Sequence, residues 1–464
     1  MTTPTAPPIR LGVVGCARIL PAHLRALARL QGAGIDRVRI TALCARRVDD
    51  AVMFRKRGEG PEPRTPASAD ENDPLGAPHR YVSDLHADVL PDVFDDWRDM
   101  LDRDVVDAVL ILTSVGSHHR IALDALRAGK HVLVEKPLAI SVRAGQAIVA
   151  EARIRGLVAG VAETQRYTQD SRALRWVLDQ GLVGNPQLWL SGGIGGEWAP
   201  DHVVAHTPWR HRKLDAGGGP AIDHGVHLMH QIRYLMGDLD EVSALTRTWE
   251  PTRTDRRPDG SADEVVNELE DVYLAQFRFT SGAIGSTFSS WGGHGERSGL
   301  EPGPIIYGSA GCIKGDAVFG DDGPLGRAGD LLAANAAPEV LESFFPAGLQ
   351  DPFALELLDF IRAVDAGTDT ETSATEGLAD LASAYAILES STAGVPVRVE
   401  DVIDGSVALY QEEINAHYDL CVGTVPVPTG NPPTHPCRVP GELRDDQPCS
   451  SPTTCPPSPT SVAR

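Results

Sequence analysis

Along the first third of the chain, short apolar runs alternate with stretches where apolar residues recur every three or four positions. Ile9 to Gly15 is an apolar run ending in glycine, and Leu20 to Leu30 follows with helical spacing. Pro21 sits in the first turn, where proline is tolerated. Val38 to Ala45, Val105 to Thr113 and His131 to Glu135 read as further strands. Between the last two, His119 to Ala128 reads as a helix closed by Gly129. Strands alternating with helices predict a parallel sheet covered on both faces, a doubly wound α/β domain. Gly, Pro and acidic residues break the rhythm from about 57 to 88, which predicts a polar surface insertion with no assigned chemistry.

From about Gln187 the period shortens to that of strands. Asp271 to Phe279 and Ala283 to Trp291 flank Thr280-Ser281-Gly282 and predict a hairpin. Pro304 to Tyr307 and Cys312 to Lys314 flank a second turn. Phe353 to Val364 and Glu376 to Thr392 read as late helices. The expected architecture is an N-terminal Rossmann domain over 1–160, then an α+β domain over 161–419 with a large, mostly antiparallel open sheet. The last stretch, 420–464, holds eleven prolines and four of the seven cysteines, and is read as a disordered tail.

Composition narrows the function. A net charge of −22 excludes nucleic acid as the main partner, since phosphate binding needs a basic face. No apolar run is long enough for a membrane span, and Met1 to Arg10 lacks the apolar core of a secretory signal, so a cytoplasmic location is expected. No metal site is expected either, because the cysteine spacings match no zinc pattern. Only five of the 42 basic residues are lysines, so a Lys in a suggestive place carries weight.

The turn from Gly12 through Gly15, Cys16, Ala17, Arg18 and Ile19 stands between the first strand and first helix, where a dinucleotide pyrophosphate would rest on the helix N-terminus. It departs from G-x-G-x-x-G, with Ala17 and Leu20 replacing the later glycines. The second strand ends without the acid that holds NAD ribose hydroxyls. Arg46 and Arg47 follow it instead, which favours NADP over NAD, although both also suit a solvated helix start.

Two segments carry a family resemblance. Ala128-Gly-Lys-His-Val-Leu-Val-Glu135-Lys136-Pro137 and Gly217-Gly-Gly-Pro-Ala-Ile-Asp223-His-Gly-Val-His227 together resemble the glucose–fructose oxidoreductase/inositol dehydrogenase (Gfo/Idh/MocA) family. The resemblance covers roughly residues 8 to 400. It implies hydride transfer between a nicotinamide and a carbinol carbon of a sugar, cyclitol or related polyol, and a homo-oligomer, dimer or tetramer, paired through the C-terminal sheet. It also implies a cis peptide at Glu135–Lys136. Thr113, His118, Glu135, Lys136 and Arg210 are the further positions it places at the cofactor, with the family's Pro and Asn missing after Thr113.

The residues support the chemistry independently. Lys136 ends a strand at the carboxyl edge of the sheet, where it can hydrogen-bond a developing alkoxide. Asp223 and His227, four apart, share one face of a helix that Gly237 ends. His227 is suited to acid–base work, and Asp223 to orienting it. Two other readings stay open: a glycosidase acting through transient oxidation, and a non-catalytic NADP-binding sensor.

Overall fold

The computed structural model describes residues 7–66, 68–70, 73–195, 201–256, 260–300 and 303–420. Residues 421–464, with their prolines and four cysteines, lie outside the described residues. Six strands form the first sheet: β1 (Ile9–Val14), β2 (Val38–Cys44), β3 (Asp92–Phe94), β4 (Ala108–Ile111), β5 (His131–Glu135) and β6 (Ala159–Ala162). All pairs are parallel, in the order β3-β2-β1-β4-β5-β6. This is the doubly wound order in which ligands bind at the carboxyl ends of the strands, where the order reverses between β1 and β4. The strand interiors are nearly all apolar and buried, as a sheet covered on both faces requires. Cys16 and Cys44 belong to this core.

The sequence expectation missed β3, which has only three residues and too short a pattern to register. The helix expected at His119 begins earlier, at Val115, and runs to Arg127. The insertion is no bare loop. His79 stacks on Phe54 with ring centroids 4.5 Å apart, and Arg57 covers the Tyr81 ring.

The second sheet is mixed. Pro186–Ile194 and Ile284–Ser290 pair in parallel at its centre, and every other pairing is antiparallel. The predicted hairpin is present as Val272–Phe279 and Ile284–Ser290, with Gly282 at φ 89° in the turn. One face is packed by helices, chiefly Ala374–Ala393 against Leu239–Arg247. On the other face Leu245 and Leu274 stand opposite each other in register, 66% and 52% exposed. Among the described residues, no helix is long and apolar enough to cross a membrane.

Both sheets belong to one compact unit, residues 1–425, and one apolar cluster joins them through Val134, Ile140, Ile222, Tyr385, Leu388 and Phe277. Gly217, Gly218 and Gly219 lie where that junction is tightest. A Cβ on Gly217 would stand 2.6 Å from the Tyr385 hydroxyl and 3.0 Å from the Ile140 carbonyl oxygen. On Gly219 it would fall 1.9 Å from the carbonyl oxygen of Glu270. The same Tyr385 hydroxyl donates to the Ile140 carbonyl. Three residues without side chains thus let the loop after β5 dock against the short helix Pro220–Asp223.

A Gly219→Ala change forces that contact apart and should cost about 3 kcal/mol or more of stability in denaturant unfolding. Gly32→Ala, at a helix end with open space around it, should leave stability within about 1 kcal/mol. Equal effects at the two positions would contradict this account of the junction.

Candidate active site

β5 is buried along its interior and delivers Glu135 and Lys136 at its carboxyl end. The Lys136 ammonium donates to the backbone carbonyl of Asp223 at 2.7 Å and lies 3.8 Å from its carboxylate. The cis bond here is Lys136–Pro137 and not Glu135–Lys136 as the resemblance implied. Proline's tertiary amide makes cis far less costly than an ordinary peptide. His118 braces this turn. Its ring nitrogens lie 2.9 Å from the Pro137 carbonyl and 3.0 Å from the Thr113 carbonyl, and the residue is 1% exposed. It was expected to touch the cofactor; in the structure both ring nitrogens face backbone carbonyls, and the neutral ring can donate to one of them. Thr113, half-buried at the end of β4, accepts the Ser117 hydroxyl at 2.8 Å.

The helix expected to carry both Asp223 and His227 is two helices, Pro220–Asp223 and Gly225–Met236, meeting at His224. The first is held at its start by Glu270, whose carboxylate accepts the Ala221 N–H at 3.1 Å; burial pushes that carboxyl up to about 7. The Asp223 carboxylate stands 3.4 Å from the Arg210 guanidinium, which itself stacks over Trp209. Burial alone would raise the Asp223 carboxyl, but Arg210 and then Lys136 hold it far below the usual carboxylate range.

The partner of His227 is a residue the sequence reading overlooked. Glu163 places both carboxylate oxygens 2.7 and 2.8 Å from His227 Nδ1. It is 3% exposed and follows directly on β6. Burial works against its charge, yet His227, then His230 and the Gln165 N–H bring its carboxyl down to about 2. The orienting role expected of Asp223 is therefore filled by Glu163, while Asp223 is engaged with Lys136 and Arg210. An imidazole that donates Nδ1–H to a carboxylate keeps the Nε2 lone pair free as a base. The signal was available: an acid at the carboxyl end of a wholly apolar strand, the position that singled out Lys136.

Beside His227 lies a cavity of about 280 Å³. Gln165, Gln231, Ser191 and Ser289 give it polar walls, Tyr273 and Phe288 an apolar side, and Gly192 and Gly193 leave its floor bare. His224 lines it as well; Lys136 and Asp223 do not.

The turn after β1 tests whether a dinucleotide fits. Gly15 has φ 105°, and a Cβ there would meet the Leu112 carbonyl carbon and oxygen at 2.6 Å, so only glycine is accommodated. The following helix, Leu20–Gly32, has no side-chain cap, but the backbone closes its first turn: the Leu20 N–H donates to the Ala17 carbonyl, the Ala22 N–H donates to the Ile19 carbonyl, and Pro21 has no N–H. Ala17 and Arg18 are exposed at this turn, Ile19 is half-buried, and Arg18 donates to the Ala205 carbonyl across the cleft. Cys16 turns its thiol inward to the Cys44 carbonyl, while its own carbonyl accepts Arg64 of the insertion. Gly12 lies inside β1, where a Cβ would meet Val106 and Met100, so it serves packing and stands apart from the turn. Arg46 and Arg47 are exposed after β2. The glycine-only turn at Gly15 and the exposed Arg46 and Arg47 fit a bound dinucleotide.

Residues 9–163 match the oxidoreductase family with an NAD-binding Rossmann fold, and residues 171–314 match the GFO/IDH/MocA C-terminal domain. The chain belongs to the Gfo/Idh/MocA family. It is a nicotinamide-dependent oxidoreductase. It is 27% identical over 319 residues to levoglucosan dehydrogenase of Pseudarthrobacter phenanthrenivorans, covering 64% of this chain and 80% of that protein. It is 25% identical over 343 residues to myo-inositol 2-dehydrogenase of Thermotoga maritima, covering 69% and 91%. The fold matches levoglucosan dehydrogenase in complex with NADH and L-sorbose at a TM-score of 0.62 and 21% identity, over 85% of this chain and 99% of that one. An oxidoreductase from Agrobacterium radiobacter in complex with NAD+ matches at 0.63 and 18%, over 84% and 98%.

Glu163→Gln should lower kcat about 100-fold, because protonated His227 loses its carboxylate. It should also flatten acid unfolding. A carboxyl lowered on folding contributes stability that is present above its unfolded value, near 4.5, and is lost as pH falls toward 2. Wild-type kcat together with an unchanged acid-unfolding slope would refute the pairing.

Proposed function

We propose that this protein catalyses reversible hydride transfer between a nicotinamide and a carbinol carbon of a sugar, cyclitol or related polyol. The observation that carries the reading is His227, fixed by Glu163 at Nδ1 and lining a polar-walled cavity. The amide and hydroxyl groups of that cavity suit a ligand rich in hydroxyls. The named relatives, levoglucosan dehydrogenase, 1,5-anhydro-D-fructose reductase and myo-inositol 2-dehydrogenase, act on molecules of this class.

A dinucleotide held at the Gly15 turn would supply the hydride acceptor or donor. The chain's own residues do the rest. His227 Nε2 takes the hydroxyl proton, and Glu163 stabilises the imidazolium that results. Lys136, held in place by the Asp223 carbonyl, has two further N–H donors for the same substrate oxygen and offsets its developing charge. Asp223 keeps Lys136 and Arg210 in register. For the cofactor, NADP is the proposed preference, supported by the exposed Arg46 and Arg47 and by the absence of an acid at the end of β2.

Turnover should be sought first with levoglucosan and myo-inositol, read as net formation of reduced cofactor. Lys136→Met should abolish that turnover while cofactor affinity stays within about threefold; near-normal turnover would remove Lys136 from the mechanism. The Arg46→Ala/Arg47→Ala double variant should weaken NADP binding by about tenfold or more and leave NAD binding almost unchanged. Equal effects on the two cofactors would reverse the NADP preference.

A further inference from the structure

The helix Gly225–Met236 presents one face to the cavity beside His227. His227, Leu228 and Gln231 follow the spacing of a single helical stripe, and all three line the cavity. Gln165 reaches it from the turn Thr164–Tyr167. Its backbone N–H donates at 3.1 Å to Glu163 Oε1, on the carboxylate that holds His227. The two glutamines are thus tied to the histidine by separate routes, one along the helix and one through the shared carboxylate.

The polar groups of the cavity differ in what they have left to offer. The Ser191 hydroxyl accepts Trp189 Nε1 at 2.9 Å and donates to the Thr287 hydroxyl at 3.0 Å, so it is engaged within the sheet. Tyr273 is only 1% exposed. Among the described residues, the side-chain amides of Gln165 and Gln231 make no hydrogen bond within the protein, although both are half-buried in the cavity wall. A primary amide carries an acceptor and two donors in one plane. It can accept from one hydroxyl and donate to the next, the pattern that neighbouring hydroxyls on a ring present.

Charge narrows the ligand further. Among the described residues, no Lys or Arg lines the cavity. The cations on adjoining segments are engaged: Arg166 with His230 and Glu376, and Arg210 and Lys136 with Asp223. Any positive charge that His227 acquires is matched by Glu163. A ligand carboxylate or phosphate would lose its water here and gain no counter-charge. The volume of about 280 Å³ lies at the small end of ligand sites and suits one sugar-sized ring.

We propose that Gln165 and Gln231 grip the hydroxyls beside the reacting carbinol and restrict the site to single uncharged polyol rings, against sugar acids and sugar phosphates. The inference deepens the polyol reading and rests on His227 standing at the reacting carbon.

Calorimetric titration of the whole protein, loaded with reduced cofactor so that an alcohol cannot react, reads the grip without turnover. The neutral probes are myo-inositol, levoglucosan and D-glucose. D-glucuronate and D-glucose 6-phosphate keep the glucose ring and add a charge. The neutral probes should bind, and each anion should bind at least about tenfold more weakly than D-glucose. Gln231→Leu should weaken the neutral probes by about tenfold. Gln231→Arg, which supplies a cation, should shift the glucuronate-to-glucose affinity ratio at least about tenfold toward the acid. A glutamine that only supports the fold would weaken all five probes alike. Wild-type affinities in Gln231→Leu, a wild-type ratio in Gln231→Arg, or an anion bound as tightly as D-glucose would overturn the proposal, as would a wild-type protein that binds no neutral probe. Should Gln231→Leu fail to fold, Gln165→Leu takes its place with the same expected loss. Glutamine-dependent binding without turnover of any polyol would overturn hydride transfer and leave the grip standing. Turnover with affinities indifferent to both glutamines would overturn the grip alone.

Discussion

The close approach of the Gly217–Gly219 backbone to the Ile140 and Glu270 carbonyls governs the site more than any catalytic side chain does. Lys136 leaves the first sheet and Asp223 ends a four-residue helix on the second, and neither could reach the other across ordinary side-chain packing. With no Cβ at the junction, the ammonium reaches the Asp223 carbonyl at 2.7 Å. Tyr385, which would otherwise collide with a side chain at Gly217, instead bonds the Ile140 carbonyl and locks the loop in place. Active sites are positioned to fractions of an ångström by such supporting contacts.

Around that junction the charges sort into two pairs with separate duties. Asp223 is flanked by Arg210 and Lys136 and stays ionised, so it serves as a fixed anchor for cations. Glu163 is sealed from solvent and paired with His227 through both carboxylate oxygens, so it stabilises the histidine's charge when a proton arrives. Separating the anchor from the proton partner lets the ammonium keep its place while the imidazole changes state. Behind both, His118 braces the Lys136–Pro137 turn from Thr113.

Much of this could be read in the sequence because the signals were local. Alternating apolar runs gave β1, β2, β4 and β5, and glycine-bearing turns gave the hairpin before Ile284. Lys136, Asp223 and His227 stood out because each lies at a strand end or on one spacing. The readings that needed correction depended on contacts distant in the chain. The i, i+4 spacing made Asp223 the natural partner of His227, whereas the actual partner is 64 residues away. His118 looked like a cofactor ligand because nothing local shows that Pro137, 19 residues on, takes its nitrogen. Arg64 lay in an insertion without periodicity, so only the folded chain reveals its bond to the Cys16 carbonyl. Sequence periodicity reports burial well and reports long-range pairing hardly at all.

The central claim is that the carbinol hydrogen of a polyol ends on the nicotinamide ring as a net product of this site. Incubating the protein with oxidised cofactor and a polyol deuterated at its carbinol carbon, then following the cofactor by NMR, tests this directly. The account predicts one deuterium accumulating at nicotinamide C4, on a single face, in step with ketone formation. Label that stays on the sugar, or returns to it without net reduction of the cofactor, would contradict it.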